Sequence, residues 1–217
     1  MVLAIYGSGG LGISVLDSVN EVNRELHTWD TVLFIDDVTA EKQRFGVDIL
    51  PYDAFRKEYP ASESVGIVIA VGEPQNRERL YEKIRGDGYR LETLIHRDAF
   101  ISPYAVIGEG AVLSRCAVHA GCVIGKNVMI AENAVISHDS TVGDHCCIAP
   151  TVSVAGHCTL GKGVFVGSLS AMKDQITVGD YGVVAMSSAV YKDVPENCVA
   201  FGNPARILSR QDGAKLF

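Results

Sequence analysis

The stretch VHAGCVIGKNVMIAENAVISHDSTVGDHCCIAP, residues 118–150, puts an aliphatic residue at every sixth position: Val118, Ile124, Ile130, Ile136, Val142 and Ile148. The same step reaches back to Val112 and Val106 and forward through Val154, Leu160, Val166, Met172, Val178 and Val184 to Val190. All fifteen positions are aliphatic or Met, and the spacing reads as one unbroken register. The residue after each anchor is mostly small (Gly125, Ala131, Ser137, Gly143), and the one four places on is small or β-branched (Cys122, Val128, Ala134, Cys146).

A short fixed period means that no single unit buries its apolar face alone; each must stack on its neighbours. An anchor every six residues fits a triangular prism, with one flat face per hexad and three hexads per coil. The anchors point inward, small residues turn the corners, and about five coils result, with residues eighteen apart stacked directly. The expected winding is left-handed, an exception to the usual right-handed crossover between parallel strands. This places Cys116, Cys122, Cys146 and Cys158 inside the prism as small hydrophobes. That argues against a disulfide framework and against zinc, although Cys/His clustering allows either. His119, His138, and the pair His145 and His157 occupy three different hexad positions, so convergence of the four on one metal is not expected.

Outward from the repeat, residues 1–100 read as a separate Rossmann-like domain, and 101–217 as the β-helix with a C-terminal tail. Val2–Tyr6, Thr31–Ile35 and Val65–Val71 are short buried strands alternating with helical patterns, as in a small parallel sheet. Gly7-x-Gly9-x-x-Gly12 follows the first strand and opens a helix, the context of a dinucleotide fingerprint. There the backbone of Gly7, Ser8, Gly9 and Gly10 is expected to approach a phosphate at the positive helix end. Asp36 and Asp37 end the second strand as candidate ribose or base acceptors, and Gly72 ends the third. About a hundred residues suit a nucleoside diphosphate better than a whole NAD, and a β-helix follows instead of a dehydrogenase substrate domain.

Net charge is −7, which excludes an electrostatic footprint for nucleic acid or an anionic membrane. No apolar run reaches spanning length, and the start lacks a basic leader, so the expectation is a cytoplasmic protein.

A Rossmann-like domain, the hexapeptide run, Asp193-Val-Pro195 and Phe201-Gly-Asn-Pro-Ala-Arg206 together resemble the bacterial sugar acetyltransferases of the sialic-acid O-acetyltransferase type. That group includes the nucleotide-linked amino-sugar N-acetyltransferases of glycan biosynthesis. The resemblance implies a homotrimer, acetyl-CoA in the groove between neighbouring β-helices, a nucleotide-sugar on the N-terminal domain, and no metal. It implies His138 as general base with Asp139 as its orienting partner, in Ile136-Ser-His-Asp139 ahead of Ile148-Ala-Pro150. Cys147 stands where many relatives carry a second His and is expected to line the acetyl pocket; His145 lies two residues earlier. The tail residues Gly202, Asn203, Pro204 and Arg206 are expected on the cofactor.

Acyl transfer from a thioester needs a deprotonated nucleophile, a proton acceptor and a donor for the oxyanion. Neutral imidazole suits the second task. Stacking puts Gly156 one coil above His138, with a backbone N–H expected both to donate to the thioester carbonyl and to contact the cofactor. His157 stacks on Asp139. Adjacent residues on a flat strand point to opposite faces, so His138 and Asp139 meet only if a corner turns the chain there. The expected activity is N-acetylation of a nucleotide-linked amino sugar. The alternatives are sugar O-acetylation and, in another class, a non-catalytic or metal-dependent β-helix.

Overall fold

A computed structural model describes residues 1–209. The chain opens with β1 (Val2–Tyr6), α1 (Gly10–Leu26), β2 (Thr31–Ile35), β3 (Gln43–Arg44) and β4 (Val47–Leu50). It continues with α2 (Tyr52–Glu58), β5 (Val65–Ile69), α3 (Pro74–Gly86) and β6 (Arg90–Leu91). The strands order as β3-β4-β2-β1-β5-β6, parallel except for the β3–β4 pair. β1 lies in the interior because its alternate residues have separate apolar partners. Leu3 and Ile5 meet Val15, Leu16 and Val19 of α1, while Ala4 and Tyr6 meet Tyr52, Phe55 and Tyr81 of α2 and α3.

From Leu94 onward two-residue strands wind into a parallel β-helix of three faces, sheets of eight, six and five strands, the first closed by the antiparallel pair Cys198–Phe201 and Arg206–Ser209. The expected boundary at residue 100 falls inside this winding, because Leu94–Ile95 pairs with Val112–Leu113 of the helix, not with the N-terminal sheet. One continuous interior column runs from Ala111 to Ala200 and holds Cys116, Cys122, Cys146 and Cys158.

The unbroken register does not hold at its start. Val118 and the anchors after it point inward, but in the two preceding strands Ile107 and Leu113 face the core, while Val106 is 61% exposed. Coil-to-coil pairing there steps by seventeen, Val106↔Val123 and Val112↔Met129, and becomes eighteen from Ala117↔Val135. One residue is missing from the turn between Leu113 and Ala117, where Cys116 N–H donates to Ser114 O at 2.7 Å. A one-residue slip exchanges the faces of a strand. Here it is tolerated because Val106-Ile107 and Val112-Leu113 are apolar at both positions, and Val112 packs against the N-terminal domain.

The corners also differ from expectation. The left-handed conformation recurs every sixth residue at Asn127, Asn133, Asp139, His145, Thr151, His157, Leu169, Gln175, Tyr181 and Ser187. The small residues sit two places earlier, where coils approach closely; a Cβ on Gly143 would lie 2.6 Å from Gly161 O.

The N-terminal domain covers the eight-stranded face. Leu11 packs over Met129, Ala131 and Cys147, and Val112 joins the core under α1. The junction is pinned by Arg77, fully buried on α3. Its guanidinium donates to Asn127 O and Oδ1 and to the carbonyls of Ile69 and Val71 at 2.8–3.1 Å. With no carboxylate beside it, burial lowers its pKa to about 10. Among the described residues no helix is long and apolar enough to cross a membrane.

Candidate active site

His138 and Asp139 form the corner between strands Val135–Ile136 and Thr141–Val142, and both are exposed. The turn that the pair requires is present: Asp139 is left-handed, with φ 57°. Its carboxylate thereby swings back, and His138 Nδ1 lies 2.9 Å from Asp139 Oδ2. That partner assigns the proton to Nδ1 and leaves the Nε2 lone pair, beside Gly156, as an acceptor with no hydrogen-bond partner among the described residues.

Two glycines make room for the pair. A side chain on Gly121, one coil below, would overlap Asp139 Oδ1. A Cβ on Gly156, one coil above, would stand 2.8 Å from His138 Cε1 and 2.9 Å from Nε2. Gly156→Ala is therefore expected to displace the imidazole and lower kcat by about tenfold to a hundredfold. The melting temperature should be little changed, because the ring has solvent to move into; steady-state kinetics beside thermal unfolding checks both.

The oxyanion role expected for the Gly156 N–H needs correction. That N–H donates to Asp174 Oδ1 at 2.9 Å. The same brace recurs at Lys126 N–H to Asp144 and Lys162 N–H to Asp180, so it belongs to the coil stacking. A carboxylate seated on the donor would repel a developing oxyanion. The contribution of Gly156 is its missing side chain.

Cys147 and His145 are not brought to His138. Cys147 lies on the eight-stranded face, 6% exposed beneath Leu11, and burial pushes its thiol up to about 11. The expectation that it lines an open acetyl pocket fails in this chain, because its outward surface is already covered. His145 is buried at the domain junction, 3.0 Å from Asn127 Nδ2 through Nδ1 and edge-on to Tyr81 at 5.1 Å. Burial holds its pKa below the ordinary value, as suits a neutral wedge.

A cleft of about 800 Å³ opens at the carboxyl ends of β1, β2 and β5, where parallel sheets of this order bind ligands. Tyr6, Gly7, Asp37, Asn76, Arg79 and Lys83 are among the residues that line it. Gly7, with φ 113°, passes so close to β5 that a Cβ would lie 2.7 Å from Ala70 O. Gly9 and Gly10 are open to solvent at the start of α1, and Gly72 has only Leu11 at van der Waals distance. Asp37 accepts from Tyr6 OH at 2.5 Å and from the Tyr52 N–H at 2.8 Å, and stays partly exposed. Lys83 Nζ lies 4.1 Å from the Tyr52 ring centroid. Asn76, Arg79 and Lys83 were not singled out from sequence, although their 3-and-4 spacing on a charged helix marks one face.

Ser8 and Asp36 are occupied with each other. Ser8 N–H and Oγ donate to Asp36 Oδ2 at 2.9 and 2.6 Å, and the Val38 and Thr39 N–H groups donate to Oδ1 at 2.9 and 3.2 Å. A carboxylate has about four lone-pair sites, and all are used. Asp36 therefore shapes the glycine turn from the wall of the cleft, with its acceptor sites already filled within the fold. Arg44 from β3 adds a bond to Ser8 O at 2.7 Å. Burial alone would raise the Asp36 carboxyl, but the four donors outweigh it and hold it at about 2, against 3.8 in a free chain. A depressed carboxylate stabilises the fold above its unfolded pKa and loses that contribution as pH falls through the folded one. Between about pH 4 and 2, acid unfolding of wild type should therefore steepen relative to Asp36→Asn, as far-UV circular dichroism against pH would register.

Among the described residues two groups have three possible metal-ligating side chains close together. One is Glu21, His96 and Asp98 at the domain junction; the other is His138, Asp139 and His157. The second corrects the expectation that the prism keeps its histidines apart, since the His138 and His157 rings lie 5.1 Å apart.

A parallel β-helix of hexads with a histidine–aspartate pair on one edge defines a hexapeptide-repeat acyltransferase. Residues 121–156 match the bacterial transferase hexapeptide (six repeats) family, and residues 2–84 match the PglD N-terminal domain. The acetyltransferase domain of PglB from Neisseria gonorrhoeae superposes with a TM-score of 0.89 at 28% identity, over 95% of this chain and 99% of that one. PerB from Caulobacter crescentus, solved with CoA and GDP-perosamine, gives 0.85 at 28% identity, over 96% and 98%. WeeI from Acinetobacter baumannii gives 0.88 at 26% identity, over 96% and 100%. The chain has a left-handed β-helix fold behind a PglD-type N-terminal domain, and along nearly its whole length it is similar to hexapeptide-repeat nucleotide-sugar acetyltransferases.

Proposed function

We propose that this chain transfers the acetyl group of acetyl-CoA to the amino group of a nucleotide-linked amino sugar. The observation that carries the reading is the exposed His138, held by Asp139 at Nδ1 with Nε2 unpartnered among the described residues, in a chain that also builds a nucleotide-sized cleft. The Caulobacter relative was solved with CoA and GDP-perosamine, and a second structure of the Neisseria domain was solved with acetyl-CoA.

In the reaction His138 Nε2 takes a proton from the sugar amine as its nitrogen bonds to the thioester carbonyl carbon. The C–S bond then breaks, and the proton on His138 passes to the departing thiolate, giving the amide and CoA thiol. Asp139 holds Nδ1–H throughout and steadies the imidazolium. No acyl-enzyme is needed, and Cys147, with its raised pKa, is unsuited to form one.

The working unit we infer is a homotrimer. The two faces that meet at the His138 edge leave Phe100, Val106 and Val123 exposed, whereas the third face is covered by the chain's own N-terminal domain. Apolar rows of this kind suit burial against further copies. The groove so formed would run beside His138 and receive CoA. The exposed Asn203, Pro204 and Arg206, next to the Gly202 turn of the terminal hairpin, supply polar contacts and a cation for its phosphates.

The test is release of CoA thiol from acetyl-CoA across a panel of amino-sugar nucleotides, plain amino sugars and sialic acid. Turnover with a nucleotide-linked amine is the expected result. Turnover confined to hydroxyl acceptors would overturn N-transfer, and turnover with plain amino sugars equal to that with their nucleotides would remove the N-terminal domain from substrate binding.

A further inference from the structure

We propose that His157 is a positioning residue for the acetyl transfer, acting through Asp139 to keep His138 aligned; this rests on the function proposed above. His157 turns the corner one coil above Asp139 and is itself left-handed, with φ 56°. Its backbone N–H donates to the His138 carbonyl at 3.0 Å. The two rings meet edge to face, at 88° with centroids 5.1 Å apart. Its Nε2 lies 4.0 Å from Asp139 Oδ2, the oxygen that already partners His138 Nδ1 at 2.9 Å. One carboxylate oxygen therefore stands between two imidazoles.

The arrangement answers a weakness of the site. An orienting carboxylate works only while it is held, and Asp139 is 54% exposed on a corner. Gly121 beneath it offers no side chain to lean on. Among the described residues its ion-pairing partners are His138 and His157, with no lysine or arginine. Asp174, two coils above, is committed to the Gly156 N–H. His157 is thus the side chain placed to restrict Asp139 from above. When His138 takes up its proton, the imidazolium needs Oδ2 to stay in line, and His157 limits the alternatives open to it.

Three predictions separate this role from simple support of the corner. His157→Phe keeps a ring against His138 and removes the polar ring nitrogen that faces Asp139 Oδ2 at 4.0 Å; kcat is expected to fall on the order of tenfold. KM for both substrates should stay within about twofold. His157→Gln carries an amide donor near the Nε2 position under the same backbone strain and should restore most of kcat. In an Asp139→Asn background His157→Phe should cost nothing more, because the residue it acts through has lost its charge.

Wild-type kcat in His157→Phe overturns the proposal. So does an undiminished loss in the Asp139→Asn background, and so does equal loss in the Phe and Gln variants with lowered melting temperatures. His138→Ala run in parallel separates the two levels: turnover surviving there would sink the proposed function itself. A dead His138→Ala beside a fully active His157→Phe would sink only the role of His157.

Discussion

His138→Ala is expected to lower kcat by about 10²–10⁴ while leaving assembly and nucleotide binding in place. The reasoning is local. His138 is exposed, its ring contacts are to Asp139 and His157 on the same edge, and it contributes nothing to the interior column. Removing it therefore costs little packing. What disappears is the imidazole acceptor whose other nitrogen is held by a carboxylate at 2.9 Å. The amine must then lose its proton to water. Acetyl transfer followed by thiol release, with size-exclusion chromatography and calorimetry on a nucleoside diphosphate, checks the three parts together. Near-normal turnover in intact assemblies would remove His138 from the mechanism.

Gly12→Ala is expected to have the largest effect on stability, about 3 kcal/mol or more, with loss of nucleotide binding. A Cβ at Gly12 would overlap the carbonyl oxygen of Gly7 and reach Phe34 Cε1 at 3.5 Å. The overlapped atom is backbone, so no side chain can step aside. Gly7 cannot retreat either, since its own Cβ position lies 2.7 Å from Ala70 O. Relief requires α1 to lift from β1, which loosens Val15, Leu16 and Val19 and deforms the turn bordering the cleft. Gly9→Ala is the control: its φ is −71° and nothing lies within 4 Å of the added carbon. That change is expected to stay within about 0.5 kcal/mol. Chemical denaturation of both variants gives the comparison, and equal midpoints would mean that the close packing of α1 on the glycine turn is not holding the domain.

The hexad run was legible because its signal is repeated and each unit reports one fact, which side chain faces inward. It failed where that fact became ambiguous. Val106-Ile107 and Val112-Leu113 are apolar at both positions, so a six-residue step fits either frame. Only the pairing of coils, seventeen apart where it spans the turn between Leu113 and Ala117 and eighteen on either side, reveals the missing residue. The candidate site was legible in part for a related reason. Stacking by eighteen placed Gly156 over His138 and His157 over Asp139, as found. It carried no information about where side chains turn, and so missed Asp174 closing on the Gly156 N–H.

The N-terminal site shows the same division. Gly7, Gly9 and Gly12 announce a turn between strand and helix, and at Gly7 and Gly12 only a residue without a Cβ allows the close approach. The free valences around the turn depend on partners far along the chain. Asp36 spends its acceptors on Ser8, Val38 and Thr39, and Arg44 arrives from β3. Arg79 and Lys83 enter the cleft from α3.

By itself, then, the amino-acid sequence determined the β-helix, the glycine turn and the residue types on the His138 edge, because each is a local pattern repeated or closed within a few residues. The tertiary structure alone decided the starting register of the coils, the burial of Cys147 and His145 under the N-terminal domain, and the commitment of the Gly156 N–H and the Asp36 carboxylate. Those depend on which hydrogen-bond acceptors and which apolar surfaces meet across distances in sequence, and a donor satisfied in the fold is no longer available to a ligand.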